Sequence, residues 1–199
     1  MKKAQLSEIL RKSIHFSSLV IPFSYKYVFA FNRLLMFTLL LIALCISLAI
    51  ELSRLNDRGL KRLFYNLFGL ILRKHEHMNF TGSTYLIFAA MLCVAFYKPD
   101  IAFLSLAYLS VGDTFAAIIG MNWGKRKFVR MKKSLEGSLA CFISTVLFAM
   151  FFRGEVSYAV SLMGALIATL AELWNIPIDD NLKLPLLSGF SMTVIGAIF

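Results

Sequence analysis

At 199 residues the chain has the length for one or two domains, but 59% of it is apolar, only 16% is charged and its mean hydropathy is +0.74. A water-soluble domain carries about 25% charged and 45–50% apolar residues, so the composition excludes that class and predicts an all-α, polytopic membrane helical bundle. The net charge of +10 does not point to nucleic acid, because the basic residues lie in short clusters between apolar runs, as in cytoplasmic membrane loops.

Residues 1–12 are a polar, basic lead-in with no small-x-small cleavage site after the apolar segment that follows, which predicts a retained helix rather than a signal peptide. The first candidate span, 14–31, is interrupted by Pro22 and Lys26, whereas 34–52 is almost uniformly apolar and ends with Glu51. At about 20 residues per crossing both can span, the first only with a kink or a snorkelling lysine. Residues 55–73 differ in kind. Leu60, Leu63, Phe64, Leu67, Leu70 and Ile71 share one helical face, while Asn56, Asp57, Arg58, Lys61 and Arg62 fall mainly on the other. This predicts an amphipathic helix lying on the membrane surface or, equally, a loop helix packed on the bundle. Further spans are expected at 80–97, 101–121, 138–152, 156–174 and 184–199, separated by Lys98-Pro99-Asp100, a basic loop at 122–135, Arg153-Gly154-Glu155 and a segment bounded by Pro177 and Pro185. The chain thus forms one integral membrane domain, 1–199, of about seven transmembrane helices, with six as the alternative because the last run is short.

Charge orients this bundle. With the N-terminus in the cytoplasm, the cytoplasmic segments hold Lys2, Lys3, Arg11 and Lys12, the six basic residues between Arg54 and Lys74, the six between Lys125 and Lys133, and Lys183. Only Lys26, Arg33, Lys98 and Arg153 of the 21 lie on the other side, which predicts a cytoplasmic N-terminus. Glu51, Glu76, Glu136, Glu172, Asp179 and Asp180 then reach the same face. Cys45, Cys93 and Cys141 each fall in an apolar run and are expected to be small buried hydrophobes.

Residues 112–138 concentrate the chemistry. Asp113 is an acid inside an apolar run, a costly placement that marks a functional site, and it lies roughly 12 Å from the inner boundary of the membrane core. Gly112, Gly120 and Gly124 surround it, six basic residues follow, and Glu136 opens the next apolar run. Lysines and arginines neutralise phosphate oxygens, glycines admit backbone N–H groups to them, and Mg²⁺ is usually held by one or two carboxylates plus phosphates. Asp113 with Glu136, or Asp179-Asp180-Asn181, are the acidic clusters that would hold such a metal. Ala116, Ala117 and Gly120 share the Asp113 face, and Gly164 and Ala168 form another small-residue pair; both read as close helix packing. His15, His75 and His77 lack ligand spacing and read as surface histidines. The residues alone therefore predict an inner-leaflet site for a phosphate-bearing, metal-bound ligand.

The stretch Gly112-Asp113-Thr114, Ala117, Gly120, Gly124-Lys125, then Lys132-Lys133-Ser134-Leu135-Glu136-Gly137-Ser138, resembles the polyprenol kinase family of dolichol kinases, phytol kinases and CTP-dependent diacylglycerol kinases, relatives of the phosphatidate cytidylyltransferases. Lesser matches lie at Arg11-Lys12 with His15, Glu51 and Arg54, Arg73 through Glu76, Gly82, Thr84-Tyr85, Glu172 and Ile178-Asp179-Asp180-Asn181-Leu182 with Pro185. The resemblance implies a multi-pass kinase that phosphorylates the hydroxyl of a membrane lipid alcohol, with CTP (or ATP) as donor and Mg²⁺ as cofactor. By motif, the stretch from Lys132 through Lys133 and Ser134 to Gly137, with Gly120, Gly124 and Lys125, would bind the nucleotide. Asp113 would hold metal or orient the nucleotide; Asp179 and Asp180 would hold metal or act as base; Glu136 would join them.

The alternative is a phosphatidate cytidylyltransferase (CDP-diacylglycerol synthase), which shares an Asp-to-Lys-x-x-Glu-Gly arrangement. Its usual His-Gly-Gly-x-x-Asp-Arg-type ending is absent, and Asp-Asp-Asn-Leu stands there instead. A transporter or scaffold with Asp113 as coupling acid is the third reading, opposed by carboxylates gathered at one face and no visible inverted repeat. The expected partners are a membrane lipid and a nucleotide; an oligomer is compatible with the sequence, but nothing in it calls for one.

Overall fold

The computed structural model describes residues 3–127 and 133–198, the side chains of 3–5, 74 and 75 excepted. Its helices are α1 (Lys3–Ser17), α2 (Val20–Phe23) continuing into a π-helical turn (Ser24–Val28), α3 (Arg33–Asn56), α4 (Arg58–Phe68), α5 (Gly82–Phe96), α6 (Pro99–Trp123), α7 (Leu135–Phe152), α8 (Tyr158–Leu173) and α9 (Asp180–Ile198). A 3₁₀ turn, Lys74–His77, precedes α5. No strand occurs among the described residues, where Lys127 and Ser134 form an isolated bridge.

α6 is the axis of the bundle. Every residue from Ile101 to Thr114 is buried, and the helix packs against α1, α2, α5, α7, α8 and α9. The surrounding helices turn apolar stripes outward: Leu139, Ile143, Leu147 and Phe151 on α7, Leu162, Leu166 and Leu170 on α8, and Phe190, Val194 and Ile198 on α9 are all exposed at i, i+4 spacing. A soluble protein does not leave such continuous apolar surface in water, so these stripes face lipid and the chain is an integral membrane protein. Among the described residues, α3, α6, α7 and α9 are long and apolar enough to cross a membrane, whereas α5 and α8, at 15 and 16 residues, are apolar but shorter.

Several helix bounds differ from the apolar runs for local reasons. The first candidate span is not one helix: α1 starts in the polar lead-in, the chain breaks after Ser17, and the π-turn is followed by Ala30 and Phe31 with φ of 45° and 59°. Lys26 does not snorkel alone; its Nζ lies 3.2 Å from Asp100 Oδ1 and 4.7 Å from the centre of the Phe103 ring. The amphipathic segment forms an 11-residue helix, with Asp57 as N-cap accepting from Leu60 N at 2.7 Å, and Leu70 and Ile71 fall beyond its end. Ser134 caps α7 before its apolar run begins, and Asp180 occupies the first turn of α9, where a negative charge suits the helix dipole. Cys45 is exposed on α3, not buried as expected; Cys93 and Cys141 are buried.

The small residues do pack helices. A Cβ on Gly137 would stand 2.8 Å from the backbone oxygen of Ala116, and one on Gly164 would stand 2.5 Å from Met192 Sδ. A backbone carbonyl cannot move aside as a thioether can. Gly137→Ala is therefore expected to destabilise the protein by about 1–3 kcal/mol and Gly164→Ala by less, read as the drop in thermal unfolding midpoint in detergent. Equal drops would contradict the close α6–α7 approach as the reason for glycine.

Candidate active site

One end of the bundle gathers the charged residues. There α1, the end of α3, the 3₁₀ turn, the start of α5, the end of α6, the start of α7, the end of α8 and the start of α9 surround two cavities. Asp113 stands between them on α6, 6% exposed. Lys12 Nζ on α1 donates to Asp113 Oδ2, and His15 Nε2, one turn further, lies 3.2 Å from the same oxygen. Burying a carboxylate this deeply in a membrane bundle requires such partners.

The first cavity, about 510 Å³, is polar. Ala116, Ala117, Gly120 and Gly124 on the α6 side and Ser134, Gly137 and Ser138 on the α7 side line it, along with Glu8, Lys127, Lys133, Glu172 and Asp180. Lys133 Nζ lies 2.9 Å from Glu172 Oε1 and 3.3 Å from Asp180 Oδ2, and donates to the Glu172 carbonyl. Burial pulls its pKa down, but Glu172 and Asp180 outweigh that and hold the ammonium above the ordinary lysine value. Lys183 Nζ holds the other Asp180 oxygen at 2.8 Å. Glu172 Oε2 is buried without a hydrogen-bond partner among the described residues.

The second cavity, about 450 Å³, is amphipathic. Ile14, Ile50, Phe64, Phe68, Leu72, Leu86 and Ile87 give it apolar walls, and His15, Ser18, Asn181 and Asp113 give it a polar end. A buried network shapes its floor. Glu51 Oε1 accepts from Thr81 N at 3.0 Å and Thr81 Oγ1 at 2.6 Å, while Arg54, 1% exposed, binds Glu51 Oε2 through Nε at 2.9 Å and donates to the Glu76 carbonyl at 2.9 Å. Four side chains line both cavities: Arg11, Lys12, Arg73 and Asp113.

Compared with known proteins, the chain is 30% identical over 215 residues to CTP-dependent diacylglycerol kinase 1 of Saccharomyces cerevisiae, covering 94% of this chain and 73% of that one. The chain belongs to the CTP-dependent diacylglycerol kinase family. This is the polyprenol and lipid kinase group that the central motif resembles. A second family member, the kinase of the same name from Eremothecium gossypii, is 29% identical over 75% of this chain and 55% of its own length. An uncharacterised protein of Methanocaldococcus jannaschii is 30% identical over 93% of this chain and 92% of its own. No family model matches, and no solved structure matches significantly.

Within this family member, the structure brings together Asp113, Lys12 and His15, and, across the polar cavity, Lys133, Glu172 and Asp180 with Gly120, Gly124, Ser134 and Gly137. His15 is therefore no surface histidine: its side chain is 10% exposed because α1 leans onto α6. Glu136 does not pair with Asp113. Its carboxylate accepts from Arg126 N at 3.2 Å and lines a separate apolar groove, because its position at the α7 N-terminus turns it toward the loop. Lys125 is exposed and outside both cavities, and Lys132 lies outside the described residues. Asp179 lines neither cavity; it pairs with Arg73 Nη1 at 3.3 Å and caps Asn181 N at 2.9 Å. Asn181 Nδ2 in turn donates to the Gly82 carbonyl at 3.0 Å. The glycines at 120, 124 and 137 serve packing first: a Cβ on Gly124 would meet Gly120 O at 2.2 Å and Ser134 Oγ at 2.6 Å.

Sequence reasoning missed Lys127 and Arg73 as cavity residues. Lys127 was visible only as a member of a charge cluster and Arg73 only as one end of a lesser match, and no spacing rule separates a cavity-lining cation from a headgroup anchor. No group of three His, Cys, Asp or Glu side chains with metal-site geometry occurs among the described residues. A Mg²⁺ bound mainly through nucleotide phosphates asks less of the protein, and the carboxylates that would serve it in the polar cavity are Glu172, with an unpartnered oxygen, and Asp180, whose two oxygens also contact Lys133 and Lys183.

Proposed function

We propose that this protein is a CTP-dependent lipid kinase that phosphorylates the hydroxyl of a membrane lipid alcohol. The observation that carries the reading is the pair of cavities meeting at Asp113, one polar and basic, the other apolar with a polar end. The names of the fungal relatives support CTP as donor and diacylglycerol as acceptor. A polyprenol or a phytol-like alcohol fits the same apolar walls.

The nucleotide phosphates occupy the polar cavity, where Lys133, Lys127, Arg11 and Lys12 supply positive charge. Asp180 and Glu172, with Asp113 nearby on α6, would hold a Mg²⁺, which would neutralise phosphate charge. The lipid hydroxyl enters from the amphipathic cavity and hydrogen-bonds to Asp113, which turns its oxygen toward the γ-phosphorus. The bond from that oxygen to phosphorus forms as the β–γ bridging bond breaks, CDP leaves, and the hydroxyl proton passes to the carboxylate. Such transfers need mainly positioning and charge stabilisation, and these residue types supply both.

The active site lies on the cytoplasmic side, an orientation supported by the asymmetry of basic residues. Seven crossings, with α5 and α8 as short spans and the α1–α2 segment as a broken one, fit that orientation. The amphipathic α4 lies at the membrane surface, with Leu60, Leu63 and Leu67 exposed to it.

The test is the purified full chain in mixed micelles with γ-labelled CTP or ATP and a panel of diacylglycerol, polyprenol and phytol. Labelled lipid phosphate from CTP and diacylglycerol is the expected result. No labelled lipid phosphate with any alcohol, where a control kinase works, sinks the reading. Pyrophosphate and CDP-lipid from phosphatidate would establish the cytidylyltransferase instead.

A further inference from the structure

Arg73 sits at the junction of the two cavities, and nothing in the reading above uses it. The other three side chains at that junction already have a role in that reading, and each has a partner on α1 or α6. Lys12 and Asp113 hold each other, and Arg11 donates to Glu8 one turn earlier on α1. Among the described residues the Arg73 side chain has one partner, Asp179, through Nη1 at 3.3 Å. A guanidinium carries five N–H donors in a planar fork, so one edge on a carboxylate leaves another for a phosphate. The side chain is 25% exposed, enough to meet a ligand.

The backbone around Arg73 is held more tightly than a surface loop needs. Arg73 N donates to Glu76 Oε2 at 2.6 Å, and Glu76 Oε1 accepts from Gly82 N at 2.7 Å. Glu76 is 5% exposed, and its carbonyl is fixed by the buried Arg54. Asp179 is held as well, with Asn181 N on Oδ1 and its side chain 8% exposed. Both ends of the Arg73–Asp179 pair are thus anchored before any ligand arrives.

Resting on the phosphoryl-transfer reading, we infer that Arg73 clamps the phosphoryl group as it passes between the cavities, and that Asp179 is the positioning residue that aims it. A positioned arginine at a transferring phosphoryl group contributes on the order of 10³–10⁵ in turnover, because charge spreads over the equatorial oxygens in the transition state. A cation that acts mainly there changes kcat far more than donor binding.

The experiment uses the full chain in mixed micelles with CTP and the preferred lipid alcohol. Arg73→Ala should lose about 10³-fold in kcat while the KM for CTP moves by less than about threefold. Arg73→Lys should recover only a small part, since an ammonium has no second edge for bidentate contact. Added methylguanidinium should partly rescue Arg73→Ala and leave Asp113→Asn unrescued. Asp179→Asn should lower kcat about tenfold or more without lowering CTP affinity. A kcat within tenfold of wild type in Arg73→Ala, full recovery by Arg73→Lys, or no guanidinium rescue overturns the assignment. An unaffected variant of an active protein overturns this assignment alone, whereas a wild type that phosphorylates no lipid alcohol overturns the kinase reading and this assignment with it.

Discussion

Asp113→Asn is expected to reduce lipid phosphorylation by about 10³-fold in kcat/KM, within the range for removing a positioned proton acceptor. Asparagine keeps the shape of the side chain and a carbonyl that can accept from Lys12, so α1 and α6 should stay in contact. It cannot take the hydroxyl proton, and it leaves the Lys12 ammonium, 4% exposed, without its counter-charge. Removing one partner of a buried ion pair costs about 3–5 kcal/mol, and the retained hydrogen bond offsets part of that. A lower unfolding midpoint should therefore accompany the lost activity, contrary to the simpler expectation that removing a charge from an apolar helix is harmless. Asp113→Glu separates the two effects. It keeps the charge and restores the midpoint, but moves the carboxylate by about one methylene, which in a positioned site costs on the order of 10² in rate. Activity above about a tenth of wild type in Asp113→Asn would sink its role at the junction.

The apolar runs foretold the helices well because burial in lipid and helix formation impose the same requirement, an unbroken apolar segment with its backbone satisfied internally. α3, α6 and α7 each contain the run that predicted them, and α9 contains the described part, 184–198, of its run. Their ends were not legible from hydropathy, since a helix continues into polar residues wherever a cap or an acid suits its terminus. Ser134 before α7 and Asp180 at the start of α9 are such cases. The 14–31 run, expected to span only with a kink or a snorkelling lysine, is broken after Ser17 and followed by positive φ at Ala30-Phe31, positions that apolar content does not mark.

The site was legible in part, for a different reason. Asp113 stood out because a lone acid in an apolar run is expensive whatever surrounds it. Its partners did not stand out. Lys12 is 101 residues away, and only the lean of α1 on α6 brings it and His15 within reach. The same holds for Lys133 with Glu172 and Asp180, where one ammonium joins the segment before α7 to α8 and α9. Glu136 was paired with Asp113 because both border the basic loop. The first-turn position that points Glu136 at Arg126 N could be read only once α7 had a known start.

Lys133→Met is expected to lower kcat/KM for CTP by about 10²-fold, since charge-assisted contacts to phosphate are among the stronger single interactions a site can offer. The ammonium has two roles in the geometry, and they predict different double variants. Toward the protein, it separates Glu172 from Asp180, two carboxylates it touches at 2.9 and 3.3 Å. Toward the polar cavity, it presents the charge that those carboxylates keep protonated. If separation were its whole purpose, Lys133→Met with Glu172→Gln would relieve the repulsion and recover both the unfolding midpoint and the turnover. A phosphate-gripping role predicts recovery of the midpoint alone, with turnover still low and the KM for CTP still raised. Turnover restored to within threefold of wild type in the double variant would show Lys133 to be a structural neutraliser, and the polar cavity would then lose its principal claim to the nucleotide.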